Sequence, residues 1–165
     1  MMGFAFERAE KKHCERVLHI IHRCLREVNS KDYSAAEIKR QLEKFNPDWF
    51  LHTIENSHYY VVTYGETIIG AGGVGRDLIN EKQCCFRAVF VDPDYEGKGV
   101  GKQLIRFLEN DEWCRDSNLI EIAASFSAHG FYSGLGYQYR DNPPILERDG
   151  VVMMYRYQGE HDTNH

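Results

Sequence analysis

From Cys14 onward, apolar residues recur at helical spacing: Cys14, Val17, Leu18, Ile21, Leu25 and Val28, with charged residues between them. That period keeps one face of an α-helix apolar. Ahead of it, Gly3 to Arg8 reads as a short strand with Phe4 and Phe6 on one face. Asn29, Ser30 and Asp32 break the helix. Ser34 followed by Glu37 forms a capping box. It opens a second helix through Ile38, Leu42 and Phe45, which Pro47 stops. Asn46 to Ser57 then reads as a loop.

From His58 the period changes. "HYYVVTYGETIIGAGGVGRD" predicts two strands around a turn at Gly65-Glu66, a hairpin. "QCCFRAVFV" predicts a third strand, ending at Asp92-Pro93. Val100 to Arg115 reads as one helix with Val100, Leu104, Ile105 and Leu108 on one side. "NLIEIAAS" is nearly all apolar, which predicts a strand covered on both faces. Ala128 to Leu135 reads as a short helix closed by Gly136. "YQYR" and "VVMMYRY" are strands joined by a loop holding Pro143, Pro144 and Gly150. This order predicts a mixed α/β or α+β domain over residues 1–158, followed by a polar tail at 159–165.

Composition narrows the functional classes. A chain of 165 residues fits one domain, and 42% hydrophobic with 27% charged residues is ordinary globular usage. The net charge is -5 with no run of Lys or Arg, which argues against a nucleic-acid partner. The five cysteines, Cys14, Cys24, Cys84, Cys85 and Cys114, include no CxxC pair, so reduced thiols and a cytoplasmic location are expected. There is no leader-like start and no window near the roughly 18 apolar residues of a membrane span. The pairs His19 and His22, His52 and His58 do not meet Cys or carboxylates at ligand spacing, so no metal is expected.

Two glycine clusters stand out. Gly70-Ala71-Gly72-Gly73-Val74-Gly75 is a literal GxGxxG, but "RDLINEKQCCF" after it leads into another strand, not a helix. A dinucleotide site needs that helix. The cluster reads instead as small residues in a strand that something approaches closely. The second cluster, "EGKGVGK", is not a Walker loop, because Gln103 follows Lys102. It stands between an Asp-Pro turn and an amphipathic helix. The first N–H groups of such a helix lack partners and lie at the positive end of its dipole. Gly97, Gly99 and Gly101 would bare those amides to an oxyanion such as a phosphate, with Lys98 and Lys102 adding charge. An ordinary glycine-rich turn is the plain alternative.

"VFVDPDYEGKGVGK", with Val91, Pro93, Gly99 and Gly101, and the later "FYSGLGY", Phe131 to Tyr137, together resemble the two signatures of the GNAT acyltransferase superfamily. The order of elements agrees over nearly the whole chain. The resemblance implies a mixed, mostly antiparallel central sheet of about seven strands, helices on both faces, and a V-shaped splay between two central strands. It implies acetyl-CoA as co-substrate. The pyrophosphate would lie on amides from Gly97, Lys98, Gly99, Val100, Gly101 and Lys102. The pantetheine arm would lie along Val89, Phe90 and Val91. Tyr132 matches the tyrosine that protonates the leaving thiolate in many members. Glu96 stands where the family usually has Gln or Arg.

The implied activity is acetyl transfer to a primary amine by direct attack in a ternary complex. The acceptor could be a small molecule, a peptide N-terminus or a lysine. A non-catalytic acyl-CoA-binding sensor is the alternative, and a nucleotide-phosphate module a remoter one. The base is open among Glu121, His129 and water. Ser125 and Ser127 could touch the CoA arm or cap the short helix. Acceptor contacts are expected from the first two helices, Asn46 to Ser57 and the Asp141 to Gly150 loop. Tyr33, Trp49 and Phe50 lie there, with an acidic rim of Asp32, Glu37 and Asp48 suited to a cationic amine. A homodimer is expected on resemblance alone.

Overall fold

The alternating runs become strands β1 (Ala5–Arg8), β2 (His58–Tyr64), β3 (Thr67–Arg76), β4 (Gln83–Val91), β5 (Leu119–Ser125), β6 (Gln138–Tyr139) and β7 (Val151–Tyr157). The structure, a computed structural model, describes residues 3–77, 79–80, 82–147 and 150–158, so the expected tail at 159–165 lies outside it. The strands form one sheet in the order β1-β2-β3-β4-β5-β7-β6. Every neighbouring pair is antiparallel except β4 with β5, which is parallel. The mixed sheet expected from the resemblance is therefore present.

The helices are α1 (Cys14–Glu27), α2 (Ala35–Lys44), α3 (Pro47–Asn56), α4 (Val100–Glu109), α5 (Glu112–Arg115) and α6 (His129–Gly134). Ser34 caps α2 as its sequence suggests, accepting from the Glu37 amide at 3.2 Å. Two expectations fail at helix boundaries. Asn46 to Ser57 is not a loop, because Pro47 begins a helix instead of only ending one. Its missing N–H costs nothing in the first turn, and Asn46 Oδ1 accepts from the Trp49 amide at 2.9 Å. Residues 100–115 form two helices, not one. Asp111 divides them, capping α5 through the Trp113 amide at 2.9 Å. The same carboxylate accepts from His58 Nδ1 at 3.0 Å and from the Tyr60 hydroxyl, so two β2 side chains hold the break in place.

Helices cover both faces of the sheet. On one face, α1 and α3 pack Val17, Leu18, Ile21 and Phe50 onto Tyr59, Val61 and Ala71. On the other, Leu104, Ile105 and Leu108 of α4 join Val62, Val74, Ile120 and Met154. Each such side chain stabilises the fold by about 1.5–3 kcal/mol through burial. Strand β5 departs from its expected double coverage. Ile120, Ile122 and Ala124 are buried, but Ala123 between them is exposed. Its small apolar residues border a cleft and not a second helical layer.

The GxGxxG run lies wholly inside β3 and opens no helix. Its glycines are there for close approach. A Cβ on Gly73 would lie 2.6 Å from the Tyr59 ring and 2.7 Å from the His58 carbonyl oxygen. The atoms nearest a Cβ on Gly75 all belong to the flexible side chain of Arg87. Gly73→Ala is therefore expected to lose about 1–3 kcal/mol, since it forces backbone apart. Gly75→Ala should stay within about 0.5 kcal/mol of the parent. Urea unfolding of the two variants checks the contrast.

Candidate active site

Strands β4 and β5 stay together over only three registers, Gln83 with Leu119, Cys84 with Ile120 and Cys85 with Glu121. Beyond that they part, which is the V-shaped splay expected of the central strands. A bulge in β4 marks the bend. Ala71 pairs with Phe90 and Gly73 with Arg87, so Ala88 and Val89 both stand opposite Gly72. Ala88 takes φ 41°, a left-handed value rare for a residue with a side chain. The buried Tyr59 hydroxyl donates to the Ala88 carbonyl at 2.8 Å, and such bulges sharpen strand twist.

The parted strands border a cleft of about 990 Å³ that reaches both faces of the sheet. That size suits a ligand site. On the α4 and α6 face it is lined by Val100, Gly101, Lys102, Ala128, Phe131 and Tyr132. On the α1 and α3 face it is lined by Cys24, Asn29, Phe45, Trp49, His52 and Asn56. The backbone of Val89, Phe90 and Val91 forms the floor between them.

The glycine motif sits at one mouth. Gly97 and Gly99 take φ 76° and 82°, which side chains resist. Gly99 is the N-cap of α4 and supplies no capping side chain. The first α4 amide to reach a helical acceptor is that of Gln103, to the Gly99 carbonyl at 3.1 Å. The amides of Val100, Gly101 and Lys102 precede it and lie at the positive end of the helix. A Cβ on Gly101 would press to 3.2 Å from the Phe131 ring, so glycine keeps this approach clear. These donors, with Lys102 in the lining, fit a phosphate-bearing group. Gly97 and Gly99 share the lining, whereas Lys98 is exposed outside it.

What holds the motif was not legible in its own residues. Asp92 is 2% exposed and accepts from Arg16 Nη2 at 2.7 Å and Arg23 Nη1 at 2.9 Å, both on α1. It also caps the following turn through the Asp94 amide at 2.9 Å. Arg16 donates on to the Ile68 carbonyl at 3.0 Å, so helix, strand and turn are fastened at one carboxylate. The Cys24 thiol donates to the Val91 carbonyl at 3.0 Å. Burial, then the nearby Glu96 and Asp92 charges, push its pKa up to about 12, which keeps it an unreactive thiol.

Tyr132 lies on α6 with its ring against Phe131 and Tyr137 and lines the cleft. Its hydroxyl bonds to none of the described residues and is not sealed in. Burial pushes its pKa up, so the group remains a phenol. Tyr137 holds α6 to α4 by donating to Glu109 Oε2 at 2.7 Å.

Other candidates are dispersed. Ser125 and Ser127 line the cleft, but the cap position of α6 is Ala128 and has no side-chain bond, so their capping role is absent. Glu121 stands at the closed end opposite Cys85, outside the lining. His129 Nδ1 meets the Tyr139 hydroxyl at 2.8 Å and also lies outside it. Trp49 lines the cleft, but Phe50 is fully buried in the core. Tyr33 donates to the Gly150 carbonyl at 2.6 Å and accepts from the Phe126 amide at 3.1 Å, bracing the late loop. The acidic rim is overturned. Asp32, Glu37 and Asp48 lie outside the lining, and Glu37 is engaged by Arg40 and Gln41. Among the described residues, Glu96 is the lining's one carboxylate. His52 and Asn56 line it because α3 exists, which the loop expectation hid.

Residues 55–139 match the family model for the acetyltransferase (GNAT) domain. Solved structures agree in fold. PaiA N-acetyltransferase from Thermoplasma acidophilum, in complex with coenzyme A, aligns with TM-score 0.79 at 14% identity, covering 94% of this chain and 99% of its own. A GCN5-related N-acetyltransferase from Rhodopseudomonas palustris aligns at 0.77 and 18% identity, covering 95% and 98%. YncA from Salmonella typhimurium, with its cofactor acetyl-CoA, aligns at 0.65 and 16% identity, covering 96% of each chain. No curated protein matches the sequence significantly. The chain belongs to the GNAT acetyltransferase family and is an acyltransferase, as its two motifs suggested. No helix of the described residues is long and apolar enough to cross a membrane.

The Asp92 junction carries its own test. Asp92→Ala leaves two arginines facing a vacated, buried position and is expected to cost about 3 kcal/mol, the lower end for a broken buried pair. Urea unfolding of that variant beside Glu27→Ala, whose Arg23 contact is exposed, measures the difference.

Proposed function

We propose that this chain moves an acetyl group from acetyl-CoA to a primary amine, both bound at once. One observation carries this: a single cleft passes between parted strands, with open helix amides at one mouth and a separate side-chain chamber at the other. Amides of Gly97 to Lys102 and the Lys102 ammonium hold the pyrophosphate, and the backbone of Val89, Phe90 and Val91 holds the pantetheine arm. Lys98, exposed beyond the lining, adds only long-range charge. When bound, acetyl-CoA supplies a thioester activated for attack by nitrogen.

The chain's own groups handle the protons. An amine of ordinary pKa, about 10.4, is almost wholly protonated near neutrality and must lose a proton before it attacks. Glu121 and His129 lie off the cleft, so that proton leaves through water in the cleft toward His52 or Glu96, which line it. Tyr132 stands free in the cleft as a phenol and donates its proton to the departing thiolate. Its raised pKa keeps the phenol protonated near neutrality, so the proton is present when the thiolate leaves.

Amine-dependent release of free thiol from acetyl-CoA, with calorimetric CoA titration alongside, tests the activity. Binding without release for any amine would leave a sensor domain, and no binding would remove the cofactor. Gly99→Val and Gly101→Val should each weaken CoA binding by about tenfold or more, because they close backbone donors. Unchanged affinity would refute the anion cradle. Tyr132→Phe should lower kcat by about a hundredfold with little change in the acetyl-CoA KM. An intact rate between pH 6 and 9, roughly the range flanking a thiol's pKa, would refute the acid role.

A further inference from the structure

The acceptor chamber carries positive charge where an acidic rim had been expected. Lys44, Arg87 and His52 all line it, and Glu96, the lining's single carboxylate among the described residues, follows the far end of β4 next to the glycine motif. Given the acetyl-CoA reading, on which this inference rests, we infer that the acceptor amine carries a carboxylate, held by Arg87.

Arg87 is placed for this by the fold. Cys84 and Phe86 point into the core under α4, so Arg87 faces the opposite side of the sheet, toward the chamber. Its side chain lies back over Gly75: a Cβ there would sit 2.3 Å from Nε and 3.0 Å from both Cζ and Nη2. Gly75 is thus the slot that lets the guanidinium lie flat on β3. Arg16, Arg23, Arg106 and Arg156 direct their guanidinium groups at carboxylates of this chain. Arg87 forms no ion pair or hydrogen bond with a described residue and is exposed in the cleft. An arginine presents five donors in a planar fork that matches a carboxylate two bonds at a time.

The spacing selects the substrate class. Gly75 pairs with Cys85, two residues before Arg87 and three before the bulge at Ala88. The guanidinium therefore lies roughly 7–10 Å along the strand from the bulge. An amino acid whose carboxylate meets that fork through a hydrogen bond of about 2.8 Å, with its nitrogen about 3 Å further on, places that nitrogen about 6 Å from the guanidinium, on the way to the bulge and roughly 1–4 Å short of it. A free amino acid thus brings its nitrogen toward the bulge, whereas a protein lysine has no carboxylate at such range. Phe45, whose ring meets those of Trp49 and Phe90, shares the same lining with them and offers apolar surface, which suits an apolar side chain. A polyamine would bring more positive charge to Arg87 and Lys44 and gain nothing there.

The test compares phenylalanine, leucine and alanine with their amides and with the matching amines that lack the carboxylate. Thiol release gives kcat/KM for each, and calorimetry on CoA-saturated protein gives binding even where turnover is absent. The free amino acids are expected to exceed their amides by about tenfold or more, the range for a charged hydrogen-bonded pair. Arg87→Met should abolish that ratio while acetyl-CoA affinity and unfolding midpoint hold. Gly75→Ala should reduce it by displacing the guanidinium. Preference for the amides or simple amines, or a ratio unchanged in Arg87→Met, overturns the inference and leaves acetyl transfer standing. Loss of CoA binding in the parent protein overturns both.

Discussion

The parting of β4 from β5 is the constraint on which the rest depends. Two neighbouring central strands ordinarily satisfy each other's backbone groups, and leaving such groups unpaired is costly unless water or a ligand reaches them. Here pairing stops after Cys85 and Glu121. The split is held from the outside. Tyr59 pulls on the Ala88 carbonyl from beneath α3, the bulge sharpens the twist, and the far end of β4 is fastened to α1 through Asp92. Strand β5 meanwhile pairs along its length with β7. Each strand is committed to a different neighbour, and the space between them is left for a ligand.

That division explains why the cleft has two unlike mouths. On the α4 side, beside Phe131 and Tyr132, its mouth is made of backbone: left-handed glycines and a helix start with no side-chain cap. Such a surface recognises charge and shape and asks little of side-chain identity. Glu96, at the position where the family usually has Gln or Arg, leaves those backbone donors in place. On the α1 and α3 side the cleft is made of side chains, Trp49, His52, Asn56 and Arg87 among them. In the proposed reaction, selectivity for the acceptor would arise there, since backbone alone cannot distinguish one amine from another.

The charged groups separate into fasteners and free ones by the same logic. Asp92 and Asp111 are buried carboxylates saturated by partners, one tying α1 to the glycine turn and the other breaking a helix against β2. Glu109 likewise gathers Tyr137, Arg106 and Arg156 and keeps α6 against α4. A buried charge with full hydrogen bonding is tolerated, and losing one partner is what destabilises it. Arg87 has no such partner among the described residues, and it lies in the cleft.

Short-range patterns were readable from the chain alone. The strands, α1, the hairpin at Gly65-Glu66 and the glycine turn before α4 each follow from spacing, turn chemistry or a cap within a few residues. The GxGxxG run could be dismissed because its required helix was missing. Family membership followed from two motifs whose backbone geometry only glycine and a turn can supply. Boundaries set by distant partners were not readable. Pro47 both stops one helix and starts another, and only the Asn46 cap and the packing of α3 on β2 decide which role dominates. Asp111 reads as one more helical residue until His58 and Tyr60, more than fifty positions earlier, claim its carboxylate. The lining of the cleft belongs to the same class. Whether Glu121, His129, Asp48 or Arg87 faces the cleft depends on sheet register, a bulge and the placement of α3. These are long-range hydrogen bonds and packing contacts, which local sequence does not encode and which only the folded chain brings together.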